Sequence, residues 1–243
     1  IRLFVVKGIE SWNKAFEKAG FKNAVVAKIQ PDDAEWDAGD VRYNVVRWAS
    51  TPDPRYSGYG PSVANPRTGE IIAADIVQEF NAIKRGYTYR KLWGYTEDND
   101  PLEQWIISLT MHEVGHTLGL RHNFKSSWIY DAKEVHDVSI TGDNHIGSVM
   151  DYDPINLAPE GVTQGNYFPS GPGSYDMWAI EFGYTPSLSD EERENLLSKS
   201  SEPEYIFGTD GDAMSSPGVN IDPRNLRGDM SNDPITYTSD RIK

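Results

Sequence analysis

The stretch that decides the fold lies near the middle of the chain and reads His112-Glu113-Val114-Gly115-His116-Thr117-Leu118-Gly119-Leu120-Arg121-His122. On a helix, residues four apart lie about 40° apart around the axis, with Cβ atoms roughly 6 Å apart. His112 and His116 can therefore present two imidazoles to one metal ion. Glu113 sits beside that face, close enough to reach a metal-bound water without being a ligand. The spacing predicts a helix that carries two metal ligands and a general base.

The end of this stretch predicts how a third ligand reaches the same ion. Gly119 can adopt φ > 0 and end the helix, so that the chain turns back and brings His122 to the metal. Three protein nitrogens leave the fourth tetrahedral position open, as catalytic zinc requires and structural zinc does not. The chain has only 5 histidines, and three of them lie here. We therefore favour a zinc site over a helix whose histidines make ordinary hydrogen bonds.

This pattern, H-E-x-x-H-x-x-G-x-x-H, resembles the active-site signature of the metzincin clan of zinc metallopeptidases. Metzincins also carry a tight turn with a methionine beneath the metal, and Ser148-Val149-Met150-Asp151-Tyr152 fits that turn. The resemblance implies that Met150 forms an apolar floor under the imidazoles without binding the metal. It also implies that Tyr152 hydrogen-bonds or ligates near the zinc and helps to stabilise the oxyanion. Without the resemblance, Met150 is equally a core methionine and Tyr152 a buried aromatic residue with a satisfied hydroxyl.

The resemblance implies an α+β zincin fold of the metzincin type. Its parts are a small, mostly parallel, twisted sheet packed on helices, an active-site helix and an irregular C-terminal lobe. We expect residues 1–184 to form the catalytic domain, with an N-terminal lobe of about 1–119 and a C-terminal lobe of about 120–184. Residues 185–243 are expected to form an extension, helical and then irregular, that packs on the catalytic domain.

Apolar periodicity and turn-forming residues predict the other elements. An amphipathic helix of about 15 residues is expected to end at Gly20, and Asp100-Pro101 is expected to begin the metal-binding helix. Strands are predicted at Val25–Ile29 and Tyr43–Trp48, and further helices at Ser174–Gly183 and, with a capping box between Ser189 and Glu192, from Ser189 onward.

A hairpin is predicted before the metal-binding helix. Ser62–Asn65 and Glu70–Ile76 flank the turn sequence Pro66-Arg67-Thr68-Gly69. In metzincins, a strand at this place forms the sheet edge above the cleft, and extended substrate adds to it as a further strand. The resemblance thus points to five substrate-binding residues, although an ordinary strand fits the pattern equally well: Ile71, Ile72, Ala73, Ala74 and Asp75.

Composition narrows the possible partners and sites. The net charge of -14 argues against a nucleic-acid partner, which favours a basic surface. The absence of cysteine excludes disulfides, a cysteine nucleophile and thiolate zinc ligands. No apolar run approaches the roughly 20 residues of a transmembrane helix. The chain begins at Ile1 without an initiator methionine or the layout of a signal peptide, so we expect it to be part of a longer polypeptide.

Two further groups of residues raise the question of additional metal sites. His136 and His145 are expected to be surface or substrate-side histidines, because the three-histidine site is already complete. The region after Ser201 is rich in aspartate, but Asp210–Ser215 does not follow the EF-hand pattern. We expect a surface-wrapping loop there and keep Ca²⁺ as a possibility without a motif, with these candidate ligands: Asp210, Asp212, Asp222, Asp229 and Asp233.

These observations predict a zinc metalloendopeptidase that holds one catalytic Zn²⁺ and acts on a protein or peptide. In such a site, zinc lowers the pKa of its water toward about 7, and Glu113 transfers the proton from that water to the leaving amine. Two alternatives remain open: a zinc hydrolase of a non-peptide amide or ester, and a non-catalytic zinc-containing binding module. The chain is also similar to the catalytic part of large bacterial metzincin-like proteins that are usually exported. That similarity implies an extracytoplasmic location (periplasmic, cell-surface or secreted).

Overall fold

The chain divides into two compact units, each made of two separate stretches of sequence. The computed structural model describes residues 1–80, 84, 101–213 and 222–242. The first unit comprises Ile1–Ile9 and Ala27–Leu120, and the second comprises Glu10–Val26 and Arg121–Lys243.

The helices that lie wholly within the described residues are α1 (Arg2–Glu10), α2 (Asn13–Lys18), α3 (Leu102–Thr117), α4 (Val138–Thr141), α5 (Ser174–Tyr184), α6 (Asp190–Ser198), α7 (Asp210–Ala213) and α8 (Pro234–Ile242). Short 3-10 turns occur at Ser126–Ile129, Glu134–His136, Lys199–Ser201 and Pro203–Tyr205. The strands within the same described residues are β1 (Val45–Ala49), β2 (Gly58–Tyr59), β3 (Ser62–Ala64) and β4 (Ile71–Glu79).

The sheet of the first unit is built around β4. Strand β1 runs parallel to the second half of β4, from the pair Val45–Asp75 to the pair Ala49–Glu79. Strands β2 and β3 pair antiparallel with β4. The fold is α+β, with a small sheet packed against helices, as predicted. The sheet is mixed, however, and not mostly parallel, because the tight turn at Gly69, with φ of 74°, folds β3 and β4 into the predicted hairpin.

The pairing of β4 changes along its length. Ala73 and Ala74 pair with β3, and Asp75 pairs with β1, so β4 has a strand neighbour on each side. Within the described residues, the segment 71–74 pairs with β3 on one side, and pairing with β1 on the other side begins only at Asp75. The edge position of Ile71–Asp75 therefore stays a prediction. Among the strands that the structure describes, the outer one on the side of β3 is the interrupted segment 58–64. Contact between substrate and Ile71–Asp75 stays a prediction.

Helix α3 packs against β4 and carries the histidine motif. Ile106, Met111 and Val114 are buried along it. Gln78 of β4 is fully buried and donates a hydrogen bond to Thr110 Oγ1 at 2.7 Å, so a polar contact joins the strand to the helix inside the core. Helix α3 begins at Leu102 with Pro101 as its N-cap, one position later than the start predicted with Pro101 as the first helical residue, and Asp100 lies outside the described residues.

Two local predictions near the N-terminus are wrong. The single helix expected up to Gly20 is divided into α1 and α2 by a turn at residues 11–12. The strand expected at Val25–Ile29 does not form. Val25 uses its backbone N–H and carbonyl to bond the side chain of Asn13, at 3.0 and 2.7 Å, and so cannot use them to pair with a strand.

The second unit contains a core to which the C-terminal region contributes. Met230 and Tyr237 pack with Val135 and Ile146 in one buried cluster. The expectation that the region after Ser201 only wraps the surface is therefore wrong. The predicted helix at 174–183 is α5, and the predicted capping box between Ser189 and Glu192 begins α6.

The two remaining histidines lie inside the second unit. His136 is 6% exposed and His145 is fully buried, so the surface position expected for both is wrong. His145 Nε2 lies 3.4 Å from Asp153 Oδ2. Burial, followed by the proximity of His145, lowers the pKa of His136. Tertiary packing buries both rings, although the surrounding sequence is polar and rich in glycine.

Candidate metal centre

The end of α3 follows from the glycine in the motif. Gly119 has φ of 92°, a left-handed conformation that glycine adopts without strain. Its N–H donates to the carbonyl of His116 at 3.0 Å, and the N–H of Leu120 donates to the carbonyl of Gly115 at 3.0 Å. These two bonds form a Schellman motif, which ends the helix and reverses the chain. Gly119 thus supplies the turn that the sequence predicted before His122.

Three imidazoles come together around this turn. The candidate ligand atoms of His112, His116 and His122 all lie within 4.8 Å of one another. The ring centroids of His112 and His116 are 4.8 Å apart, and the two ring planes are nearly perpendicular, at 88°. Such a group of nitrogen donors fits zinc, which binds neutral imidazoles and leaves a fourth position open in catalytic sites.

Hydrogen bonds at the rings show which nitrogen is available to a metal. His116 Nδ1 lies 3.0 Å from the carbonyl oxygen of Leu120, which can only accept. His122 Nδ1 lies 2.8 Å from Oδ2 of Asp210, which as a carboxylate also accepts. In both rings the proton is therefore on Nδ1, and the lone pair of Nε2 is left for the metal. The imidazole nitrogens of this site are suitable ligands for the zinc ion that the sequence predicts.

Glu113 lies in a narrow space made by glycines of the outer strand. A Cβ atom at Gly58 would lie 2.3 Å from Glu113 Oε1, and one at Gly60 would lie 2.4 Å from the Glu113 backbone oxygen. Glu113 is only 5% exposed, and burial raises the pKa of its carboxyl to about 7. A carboxyl group with that pKa can accept and return a proton near neutral pH.

We expect the stability of the zinc-free protein to depend on pH through Glu113. Its folded-state pKa of about 7 lies above the value of about 4.3 for an unfolded chain, so the folded protein holds this proton more tightly. The contribution of Glu113 to the free energy of unfolding therefore falls as the pH rises from about 4 to about 7, by roughly 3 kcal/mol. Denaturant titrations in EDTA should show this fall in the difference between wild type and Glu113→Gln. A pH-independent difference would contradict the prediction.

The predicted methionine turn is held by two buried carboxylates. The N–H of Asp151 donates to the carbonyl of Ser148, which closes the turn, and Met150 is fully buried. Asp176 of α5 accepts from Ser148 Oγ and from the N–H of Val149, and burial raises its pKa to about 6. On the other side, Asp151 accepts from Ser126 Oγ and from the N–H of Ser127, and burial raises its pKa. The turn therefore has a fixed shape.

The turn is also bonded to the chain beside the third histidine. The carbonyl of Met150 accepts from the N–H of Asn123 at 3.0 Å. The ring of Tyr152 lies 4.6 Å from the ring of His122 and is 45% exposed. Tyr152 is therefore not the buried aromatic residue of the alternative interpretation, and its side chain reaches solvent beside a candidate metal ligand.

Comparison with known protein families agrees with this geometry. A family model described as Met-zincin matches residues 95–243, which is more than half of the chain. The chain belongs to the Met-zincin family. It matches no curated protein and no solved structure.

Two aspartates of this Met-zincin were missed as site residues in the sequence. Asp176 lies in the predicted helix Ser174–Gly183, but its role depends on a contact with Ser148, 28 positions away in the sequence. Asp210 was considered only as a calcium ligand, whereas its carboxylate contacts His122. Gly58 and Gly60, which lie against Glu113, were also not predicted as site residues.

The five candidate calcium ligands, all within the described residues, do not converge on a common position. Within residues 1–80, 84, 101–213 and 222–242, the three histidines are the group of metal-ligating side chains that converges. Four of the five candidate calcium ligands instead accept hydrogen bonds from protein donors: Asp210 from His122, Asp222 from Arg224, Asp229 from Ser127 and Asp233 from Thr236. Among the helices described, none has the length and apolar character that crossing a membrane requires.

Proposed function

We propose that this Met-zincin is a zinc-dependent endopeptidase. The observation that carries the proposal is the convergence of three imidazoles, two of which lie on the helix that also bears Glu113. A purely structural zinc site has no use for a buried base beside an open position. The buried carboxyl group therefore favours hydrolysis over a binding role.

His116 and His122 would hold the metal through their Nε2 atoms, and His112 would be the third ligand. Zinc bound there would polarise the scissile carbonyl and lower the pKa of water to about 7. Glu113, with a pKa of about 7, accepts the proton of the attacking water and delivers it to the leaving amine. The hydroxyl of Tyr152 donates a hydrogen bond to the oxyanion that develops at the carbonyl.

The outer strand beside Glu113 supports a peptide as the substrate. Residues 58–64 pair with β4 on one side, and their glycines contact Glu113. The side chains of Tyr59 and Val63 are exposed. An extended peptide that added to this strand would pass close to Glu113. Following the resemblance to exported metzincin-like proteins, we place this activity outside the cytoplasm.

Peptide-library profiling tests the proposed function. The purified chain would be loaded with zinc and incubated with a mixed peptide library, then treated with EDTA and resupplied with zinc. We expect internal cleavage that stops on chelation and returns with zinc. A folded, zinc-loaded protein that cleaves no peptide would overturn the proposal. Cleavage of amide or ester probes alone would favour the non-peptide hydrolase.

Gly58→Ala is expected to lower peptide cleavage about 100-fold without loss of zinc, because the new methyl group displaces the Glu113 carboxyl from its position. The Cβ would lie 2.3 Å from Oε1, so the side chain of Glu113 has to move. The control is Gly183→Ala, where a Cβ meets nothing within 4 Å. Cleavage rates and zinc content per molecule check the prediction, and unchanged cleavage by Gly58→Ala would contradict it.

A further inference from the structure

The C-terminal region places a carboxylate against a candidate zinc ligand. Asp210 Oδ2 lies 2.8 Å from His122 Nδ1, and Asp210 Oδ1 accepts from Arg227 Nη2 at 3.3 Å. We propose that Asp210 is a positioning residue of the zinc site, which fixes the ring of His122, and that Arg227 fixes Asp210. The inference rests on the proposed function, because it requires zinc at His122.

The chemistry of this contact sets the state of the histidine. A carboxylate oxygen has no hydrogen to donate, so the proton of His122 is on Nδ1, and Nε2 keeps the lone pair that binds a metal. The hydrogen bond also stops rotation of the ring and raises the basicity of Nε2. In addition, the negative charge of Asp210 offsets part of the charge of a bound divalent cation. All three effects favour binding of zinc at His122.

The backbone holds Asp210 close to His122 from one direction. Asn123, which directly follows His122, accepts a hydrogen bond from the N–H of Gly208 at 3.0 Å through its side chain. The N–H of Phe124 donates to the carbonyl of Gly208 at 2.7 Å. The segment before Asp210 is thus bonded to the segment after His122, so the carboxylate reaches the ring from a fixed backbone.

Arg227 is held from a second direction. Its guanidinium carbon lies 5.0 Å from the ring centroid of Phe124 and 6.0 Å from that of Tyr152. The N–H of Gly228 donates to the carbonyl of Tyr152 at 2.9 Å. These contacts fix the guanidinium of Arg227. Its hydrogen bond then orients Oδ1 of Asp210, while Oδ2 faces Nδ1 of His122.

Zinc affinity measures the proposed role without reference to catalysis. Competition with a chromophoric chelator would give the Kd of wild type, Asp210→Ala, Asp210→Asn and Asp212→Asn. We expect Asp210→Ala to raise the Kd for zinc about tenfold. This is the lower end of the range for the loss of a residue that hydrogen-bonds to a metal ligand, because the Asp210 side chain is 37% exposed. Asp210→Asn keeps a hydrogen-bond acceptor, so its Kd for zinc should lie between those of wild type and Asp210→Ala. Asp212→Asn makes the same charge change at an exposed position of α7 and should bind as wild type does.

Two further measurements separate positioning from a structural role. With Co²⁺ in place of zinc, the visible absorption bands should change in Asp210→Ala but not in Asp212→Asn, because the bands report the ligand geometry. The melting temperature of the zinc-free protein should stay unchanged in Asp210→Asn. Equal Kd values for all variants would overturn the inference, as would a loss of affinity matched by lower stability of zinc-free Asp210→Asn. A wild-type chain that binds no zinc would overturn the proposed function instead.

Discussion

Replacing Glu113 with glutamine is expected to lower kcat for peptide cleavage about 1,000-fold, the size of effect typical of a lost general base. Glutamine keeps the shape of the side chain but cannot accept the proton of the attacking water. It leaves the three histidines unchanged, so zinc binding and KM should stay close to wild type. Steady-state kinetics on a peptide found in the library, together with zinc content per molecule, measure these quantities.

The same substitution at another position of the helix provides the control. Glu103 lies in the first turn of α3, where it pairs with Lys7 and is exposed. Glu103→Gln should retain wild-type kcat, because a surface ion pair contributes little to the fold. His116→Ala should lose zinc as well as activity. A Glu113→Gln variant that cleaves within tenfold of wild type would show that another group removes the proton.

The metal centre could be predicted from the sequence because it depends on local geometry. The spacing of His112 and His116 is a property of any helix, and the turn at Gly119 needs one residue with positive φ. Both lie within a single short stretch. Such a pattern does not depend on the packing of the rest of the chain, so the sequence predicts helix α3 and the three histidines of the motif together.

The sheet could not be predicted in the same way, because pairing joins distant segments. The hairpin of β3 and β4 was predicted from its turn, but nothing local shows that β1 adds parallel to the other side of β4. Likewise, the apolar run at Val25–Ile29 favours a strand by composition alone. Its backbone groups at Val25 are bonded to Asn13, a contact that strand propensity does not describe.

The supporting carboxylates were missed for a related reason. Asp176 contacts Ser148 across 28 positions, and Asp210 contacts His122 across 88. The chain has 37 acidic residues, and no periodic pattern distinguishes these two from the others. Sequence spacing identifies metal ligands that lie on one helix. The residues that hydrogen-bond to those ligands come from distant segments, whose positions depend on the tertiary fold.

Asp176→Ala is expected to lower the free energy of unfolding by about 4 kcal/mol. The carboxylate of Asp176 is fully buried and accepts three hydrogen bonds, from Ser148 Oγ and from the N–H groups of Val149 and Gly173. Alanine leaves all three donors without this acceptor, and water does not replace it in a buried site. Asparagine keeps the shape and one acceptor oxygen, so Asp176→Asn should cost about half as much. Urea denaturation of the zinc-loaded proteins measures both.

Asp233→Ala is the matched control, because this carboxylate also accepts from a backbone N–H and a hydroxyl, both of Thr236, but at an exposed helix start. Its loss should lower the free energy of unfolding much less than the loss of Asp176, because water can replace an exposed cap. The two variants should differ in zinc affinity too. Asp176 holds the turn that contains Met150, whose carbonyl is bonded to Asn123 beside His122. Asp176→Ala should therefore weaken zinc binding while Asp233→Ala does not, and equal effects of the two substitutions would show that the turn does not support the metal centre.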